Sequence, residues 1–311
     1  MNASYFSISY ACNQKCLFCP CTKEEKKYPF ISLDDLISSA DKLLSDGNVN
    51  SIVISGGEPT LNPAFVDFLA YLLSKGIYVT VLSNSEKFFD VRLTSVMKEK
   101  LPDLTKLSVI TTIHSEDAHK HEHANQTGGS FERTLQGLDN LIDAGIQVII
   151  KHCITKANYQ ELKSFYNFID GRFPAEVSIQ LCSIDYLGIE EDRREENMVV
   201  FPELETFLGE MFDEHLKRVE NGNERHIYCI NMPYCSCDPY YWQFLTSKND
   251  SYSGYASPGP DGSSQVSISV DNNVGTFGHA CQNCRVAEIC PGTYKTAFDY
   301  FGDRIVKEIQ Y

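Results

Sequence analysis

Over the first 182 residues, short apolar runs give way in turn to longer stretches whose apolar positions recur at the third or fourth residue. The first run, Tyr5-Phe6-Ser7-Ile8-Ser9-Tyr10, predicts a strand over 5–10. A helix is then expected from Ser32, an N-cap followed by the acids Asp34 and Asp35, to Asp46, with Gly47 as its stop. The pattern continues with strand 51–55, helix 63–75 between Pro63 and Gly76, strand 77–82, helix 90–100 and strand 107–113. A polar, His-rich loop is expected over 119–129, with His114, His119, His121 and His123 in or beside it, and solvated, with binding of a metal or a substrate acid as the alternative. Helix 130–144 stops at Gly145, and strand 146–154, helix 158–170 and strand 176–182 complete the series. Strands alternating with helices predict an α/β fold with parallel strands and the helices outside. An open doubly wound sheet and a barrel both satisfy the pattern. Both gather the strand–helix loops at the carboxyl ends of the strands, so the chemistry is expected there.

Beyond residue 182 the beat is lost. Residues 185–197 are highly charged without an apolar period and read as a solvated linker, followed by a helix over 202–220. A Cys-rich stretch with Gly, Ser, Pro and aromatics comes next, with a strand and turn at 266–273 and a last helix at 293–301. The expected division is 1–184, 185–225 and 226–311. The 42 acidic side chains outnumber the 27 basic ones, for a net charge of −15, which argues against sequence-independent nucleic-acid binding. No run of eighteen apolar residues predicts a membrane span. The 12 cysteines, without a secretory signal, point to a reducing cytoplasmic setting and to metal binding rather than disulfides. They are concentrated in 12–21 and 229–290, with only Cys153 and Cys182 between.

Cys12, Cys16 and Cys19 follow the first strand in C-x-x-x-C-x-x-C order. Iron–sulfur clusters are held by Cys thiolates, and three ligands leave one iron of a cubane open to bind something else. Zinc with Cys21 as a fourth ligand is the competing use of these thiols, although the spacing is unusual for zinc.

The triplet, with Phe18 directly before its last Cys, resembles the loop of the radical S-adenosylmethionine (SAM) superfamily, C-x-x-x-C-x-aromatic-C. Ser55-Gly56-Gly57-Glu58-Pro59-Thr60, placed after the run Ile52-Val53-Ile54, resembles the G-G-E-P motif of the same superfamily. The resemblance implies a partial (β/α)6 barrel. It also implies a [4Fe–4S] cluster on Cys12, Cys16 and Cys19 whose open iron chelates SAM, giving a 5'-deoxyadenosyl radical that abstracts hydrogen from substrate. Implied cofactor contacts are Phe18 on adenine, Gly56, Gly57 and Pro59 at the close approach, and Glu58 on the SAM amino group. Ser83 and Ser115 are looser candidates, with an ordinary helix N-cap or turn residue as the alternative. An external electron donor, such as flavodoxin or ferredoxin, is implied as a partner.

Cys281-x-x-Cys284 with Cys290 resembles the superfamily's C-terminal auxiliary-cluster modules, called SPASM or twitch domains. This implies a small Cys-rich α+β module with a second [4Fe–4S] cluster, its fourth ligand expected from Cys235 or Cys237 rather than Cys229. The alternative is a zinc ribbon of Cys235, Cys237, Cys281 and Cys284. Surplus thiols, Cys229, Cys235, Cys237 or Cys182, are candidate hydrogen donors to a substrate radical, while a buried, inert Cys is the favoured reading of Cys153 and Cys182. Modification of a peptide is the expected function, with cross-linking, epimerisation or oxidation as outcomes. A small-molecule substrate is the alternative, and a non-catalytic iron–sulfur scaffold a further one.

Overall fold

A computed structural model of the chain describes residues 3–21, 30–45, 49–246, 254–258, 264–267 and 274–310. Seven strands, β1 (Ala3–Ser9), β2 (Ser51–Gly56), β3 (Tyr78–Ser83), β4 (Leu107–Thr112), β5 (Gln147–Cys153), β6 (Ser178–Cys182) and β7 (Ile227–Ile230), pair side by side and all in parallel. The helices between them are α1 (Leu33–Leu44), α2 (Phe65–Ser74), α3 (Val91–Lys100), α4 (Ala118–Asn125), α5 (Ser130–Asp143), α6 (Leu162–Arg172), α7 (Glu191–Asn197) and α8 (Glu205–Glu220), and α9 (Lys295–Phe301) comes last. Parallel neighbours need such crossovers, and strand order follows chain order from β1 to β7. Two further strands, β8 (Gly254–Pro258) and β9 (Ser264–Ser267), extend the far edge beside β1. Among the described residues β7 and β9 are the two edges, so the sheet is an open, partial barrel.

Register sorts the strand residues onto two faces. Phe6, Ile54, Val81, Val109 and Val148 follow one another across paired positions and are buried. This face meets the helices: Phe6 lies 5.3 Å from Phe68 of α2, and His152 4.0 Å from Phe165 of α6. The opposite, concave face carries Tyr5, Val53, Thr80 and Ser108 in one row, Thr112, Lys151, Gln180 and Tyr228 in another, and Cys153, Cys182 and Ile230 at its carboxyl edge. The wall is therefore polar and partly open, unlike the packed interior of a closed barrel.

Several expectations are revised. Residues 118–125 form helix α4 rather than a loop, capped by Asp117, and His121 and His114 are buried. Stretch 185–200 is not a solvated linker. Tyr186, Ile189 and Val199 are buried and the charges of α7 turn outward, a one-sided pattern too short to register as a period. Cys229 lies in β7, a seventh parallel strand hidden in the Cys-rich composition. The strand expected at 266–270 is β9 (Ser264–Ser267), and with β8 it joins the main sheet instead of a separate module; Val270 and the turn at 271–273 lie outside the described residues.

Candidate active site

The Cys loop leaves β1 and is fastened from several sides. Gly57 and Glu58 donate their N–H groups to the carbonyls of Ser9 and Ala11, so the Gly-Gly-Glu turn runs alongside the loop's entry. Gly56 has φ +130°, and a Cβ on Gly57 would stand 2.4 Å from the Ala11 oxygen. The close approach that these glycines permit is thus to the chain's own Cys loop. Lys15 and Leu17 donate to carbonyls at the end of α4. Gln14 donates to Glu86, which Arg133 also holds. Gly188 packs against the Cys19 and Pro20 carbonyls, 2.3 and 2.7 Å from where its Cβ would be.

Cys12 is exposed, and Cys16 and Cys19 are half-buried. Burial pushes the Cys16 thiol upward, and the neighbouring sulfurs of Cys19, Cys12 and Cys153 push it further. Three thiols on one loop thus oppose each other's ionisation. A cationic metal group among them removes that conflict, so the donor set fits a cluster. Cys21 stands aside and donates to the Gly56 carbonyl at 3.4 Å.

Glu58 is 1% exposed, with its carboxylate already surrounded. Oε1 accepts from the Thr60 N–H and hydroxyl and from the Ser83 hydroxyl, and Oε2 accepts from the Asn84 N–H at 2.7 Å. Burial raises its pKa and these donors oppose the rise. Ser83 is spent on Glu58 and on the Ser85 N–H. Ser115 receives the Asp117 N–H in the turn before α4, which is the turn-residue alternative. Pro59 is buried in the turn, and Phe18 packs edge-on against His114, 5.2 Å between centroids. Burial holds His114 far below the usual imidazole range and His121 and His152 down at about 4, so these rings are neutral.

The second cysteine group closes around one cavity. Cys235, Cys281, Cys284 and Cys290 all line it, with Phe277, Val286 and Phe298 among the apolar walls. Burial pushes the Cys235 thiol up to about 12, and Cys290, Cys281 and Cys284 act in the same direction. The Cys290 sulfur accepts the Tyr234 and Gly292 N–H groups at 3.4 and 3.5 Å. Cys237 does not line this cavity; burial pushes its thiol up to about 12, with Asp238, Glu205 and Cys235 acting in the same direction. Cys229 takes the phase of the helix-facing row and is 1% exposed. From Cys290 the chain continues through Thr293, which meets Ser183 after β6, to Tyr294, whose hydroxyl accepts from Asn231 after β7. Trp242 stacks on Tyr234, and Phe244 on Phe212 of α8.

Sequence reasoning missed Lys151, Tyr5, Tyr294, Asn231 and Gln14. Lys151 had a signal, being the one charge inside the run Val148-Ile149-Ile150-Lys151-His152-Cys153. Asn231 has a left-handed backbone, φ 55°, at the end of β7, which shows only in three dimensions. Among the described residues no ion pair engages Lys151; its electrostatic neighbours are Cys182, Cys153, Tyr294 and Tyr5.

An open parallel α/β sheet with a three-thiol loop at its carboxyl edge defines an enzyme class that begins reactions at an iron–sulfur cluster. The radical SAM superfamily model matches residues 6–169, and the chain belongs to that superfamily, whose enzymes use a [4Fe–4S] cluster and SAM. A probable GTP 3',8-cyclase of Saccharolobus solfataricus is 29% identical over 161 residues, 51% of this chain and 50% of that protein. An AdoMet-dependent heme synthase of Nitratidesulfovibrio vulgaris is 24% identical over 166 residues, 53% of this chain and 44% of that one. The chain thus matches these curated relatives over about half their length. Among solved structures, native anSMEcpe with bound AdoMet superposes with TM-score 0.70 at 18% identity, over 98% of this chain and 93% of that one. Streptococcus suis SuiB bound to precursor peptide SuiA gives 0.67 at 12% identity, over 99% and 75%. At these identities the likeness concerns the fold. No helix among the described residues is long and apolar enough to cross a membrane.

Proposed function

We propose that the chain is a radical SAM enzyme that modifies a peptide, with two clusters flanking the concave wall. The observation that carries this reading is the convergence of four C-terminal thiols on one cavity, linked by a few residues to Tyr294 beside Lys151. Cys12, Cys16 and Cys19 would hold the first cluster, and Cys235, Cys281, Cys284 and Cys290 the auxiliary one. The first cluster and SAM, when bound, supply a carbon-centred radical. The Gly56–Gly57 turn and Glu58 keep the Cys loop and the end of β3 in fixed relation, which preserves aim. The polar rows of the wall orient the substrate, and the segment 290–294 covers the β6–β7 side of the mouth.

The zinc ribbon would need Cys237, which does not line the cavity that Cys235, Cys281, Cys284 and Cys290 share. This favours a cluster on those four thiols over a zinc ribbon that includes Cys237. The peptide reading draws support from fold correspondence over nearly the whole chain with SuiB bound to precursor peptide SuiA and with anSMEcpe bound to AdoMet and the Kp18Cys peptide. A small anionic molecule is the second reading. Lys151, a cation without a carboxylate partner in the wall among the described residues, favours it, as do relatives named for reactions of small molecules.

The test is iron and labile sulfide per chain on anaerobically purified protein, repeated after replacing Cys281, Cys284 and Cys290 by Ala. About eight irons falling to about four is expected for two cubanes. About four irons in both proteins, with zinc in the wild type alone, refutes the auxiliary cluster.

A further inference from the structure

Two thiols outside both cysteine groups meet on the concave wall. Cys153 and Cys182 occupy paired positions at the last residues of β5 and β6, and the Cys182 thiol points at the Cys153 sulfur, 3.5 Å away. The backbone around them is pinned. The Ile154 N–H donates to the Cys182 carbonyl at 2.9 Å, and the Asn158 amide to the Cys153 carbonyl at 2.9 Å. Cys153, read from sequence as inert, is half-buried on the open face, and it is the sulfur outside the triplet that Cys16 feels. Lys151 sits one step back on the same face and feels both thiols. An S–H bond is weaker than most C–H bonds, so a carbon radical held against this wall can take hydrogen from sulfur.

We propose that Cys153 and Cys182 form a dithiol that returns a hydrogen atom to a carbon radical on the substrate, a role that rests on the radical chemistry proposed above. With Cys153 in its thiol form, its S–H bond breaks and a C–H bond forms, leaving a thiyl on Cys153. That thiyl joins the Cys182 sulfur, whose proton leaves to solvent, and the resulting sulfur–sulfur radical anion lies beside the Lys151 ammonium. Loss of its extra electron to an oxidised one-electron carrier of the flavodoxin or ferredoxin class completes a disulfide. An external dithiol then reduces the disulfide and resets the pair. The sum is one carbon radical and two thiols giving one C–H bond, one disulfide, one proton and one electron. Substrates that fit are those whose radical carbon ends with a new hydrogen, as in epimerisation.

Two experiments test the pair. In the first, the cluster-loaded enzyme is titrated anaerobically with diamide, alkylated, digested and analysed by mass spectrometry. A peptide linking Cys153 to Cys182 is expected as the first disulfide to appear. Separate alkylation of both residues after other thiols have oxidised overturns the proposal. In the second, SAM is reductively cleaved in D2O without added substrate. The 5'-deoxyadenosine is expected to carry a solvent-derived deuterium, and the label to fall several-fold in Cys153→Ala and in Cys182→Ala. Equal labelling in wild type and variants overturns the role. No 5'-deoxyadenosine from any protein refutes the radical reading instead, and the diamide titration still decides whether the dithiol exists.

Discussion

Replacing Glu58 separates two roles that the sequence left merged. From the motif, its carboxylate is aimed at the SAM amino group; in the structure it gathers the Thr60 and Asn84 N–H groups and the Thr60 and Ser83 hydroxyls. Glu58→Ala strands two backbone donors, because hydroxyls can rotate to other acceptors and N–H groups cannot. Each stranded buried donor costs about 1–3 kcal/mol. Both N–H groups are only partly buried, so the expected loss is about 2–4 kcal/mol. Glu58→Gln keeps the Oε1 donors and sets an amide against the Asn84 N–H, stranding one donor for about 1–2 kcal/mol. The assay is urea unfolding of the metal-free proteins followed by circular dichroism, paired with SAM binding to the cluster-loaded proteins. Alanine should destabilise more than glutamine, and SAM affinity should fall in step with the displaced loop. A stability loss below about 1 kcal/mol for Glu58→Ala, together with abolished SAM binding, would refute the anchoring argument and restore the direct contact.

Acid stability follows from the buried imidazoles. His121 and His152 are held at about 4, below the usual 6.5, so the unfolded chain binds more protons between those values. Native stability therefore falls as pH drops from 6.5 to 4, by about 3 kcal/mol per ring at the acid end. Urea midpoints measured down that window should fall less steeply in His121→Gln; an unchanged slope contradicts the assignment. Arg225, 2% exposed, donates to Asp170 and to the Phe173 and Val177 carbonyls, tying α6 to the starts of β6 and β7. Arg225→Ala strands the Phe173 and Val177 carbonyls while Asp170 keeps Arg218, and should cost about 2–4 kcal/mol in thermal unfolding. Arg225→Lys should recover only part of it, because an ammonium lacks the planar fork.

Local information was enough for much of this protein. Apart from α4, the elements from β1 to β6 follow from apolar period and from caps such as Ser32, whose hydroxyl accepts the Asp35 N–H. These preferences are properties of a few adjacent residues and survive any tertiary arrangement. Cys12, Cys16 and Cys19 were equally legible, since their shared loop is a matter of spacing along one segment. The sequence could not say which sulfur joins Cys281, Cys284 and Cys290. Cys235 and Cys237 are two residues apart, and only the packing of their turn sends one into the cavity and leaves the other out of its lining. Nor could it expose β7, whose four residues carry no period of their own and become a strand by pairing with β6. The Cys153–Cys182 contact joins positions 29 residues apart. It exists because two parallel strands come into register, and register is a property of the whole sheet rather than of either strand.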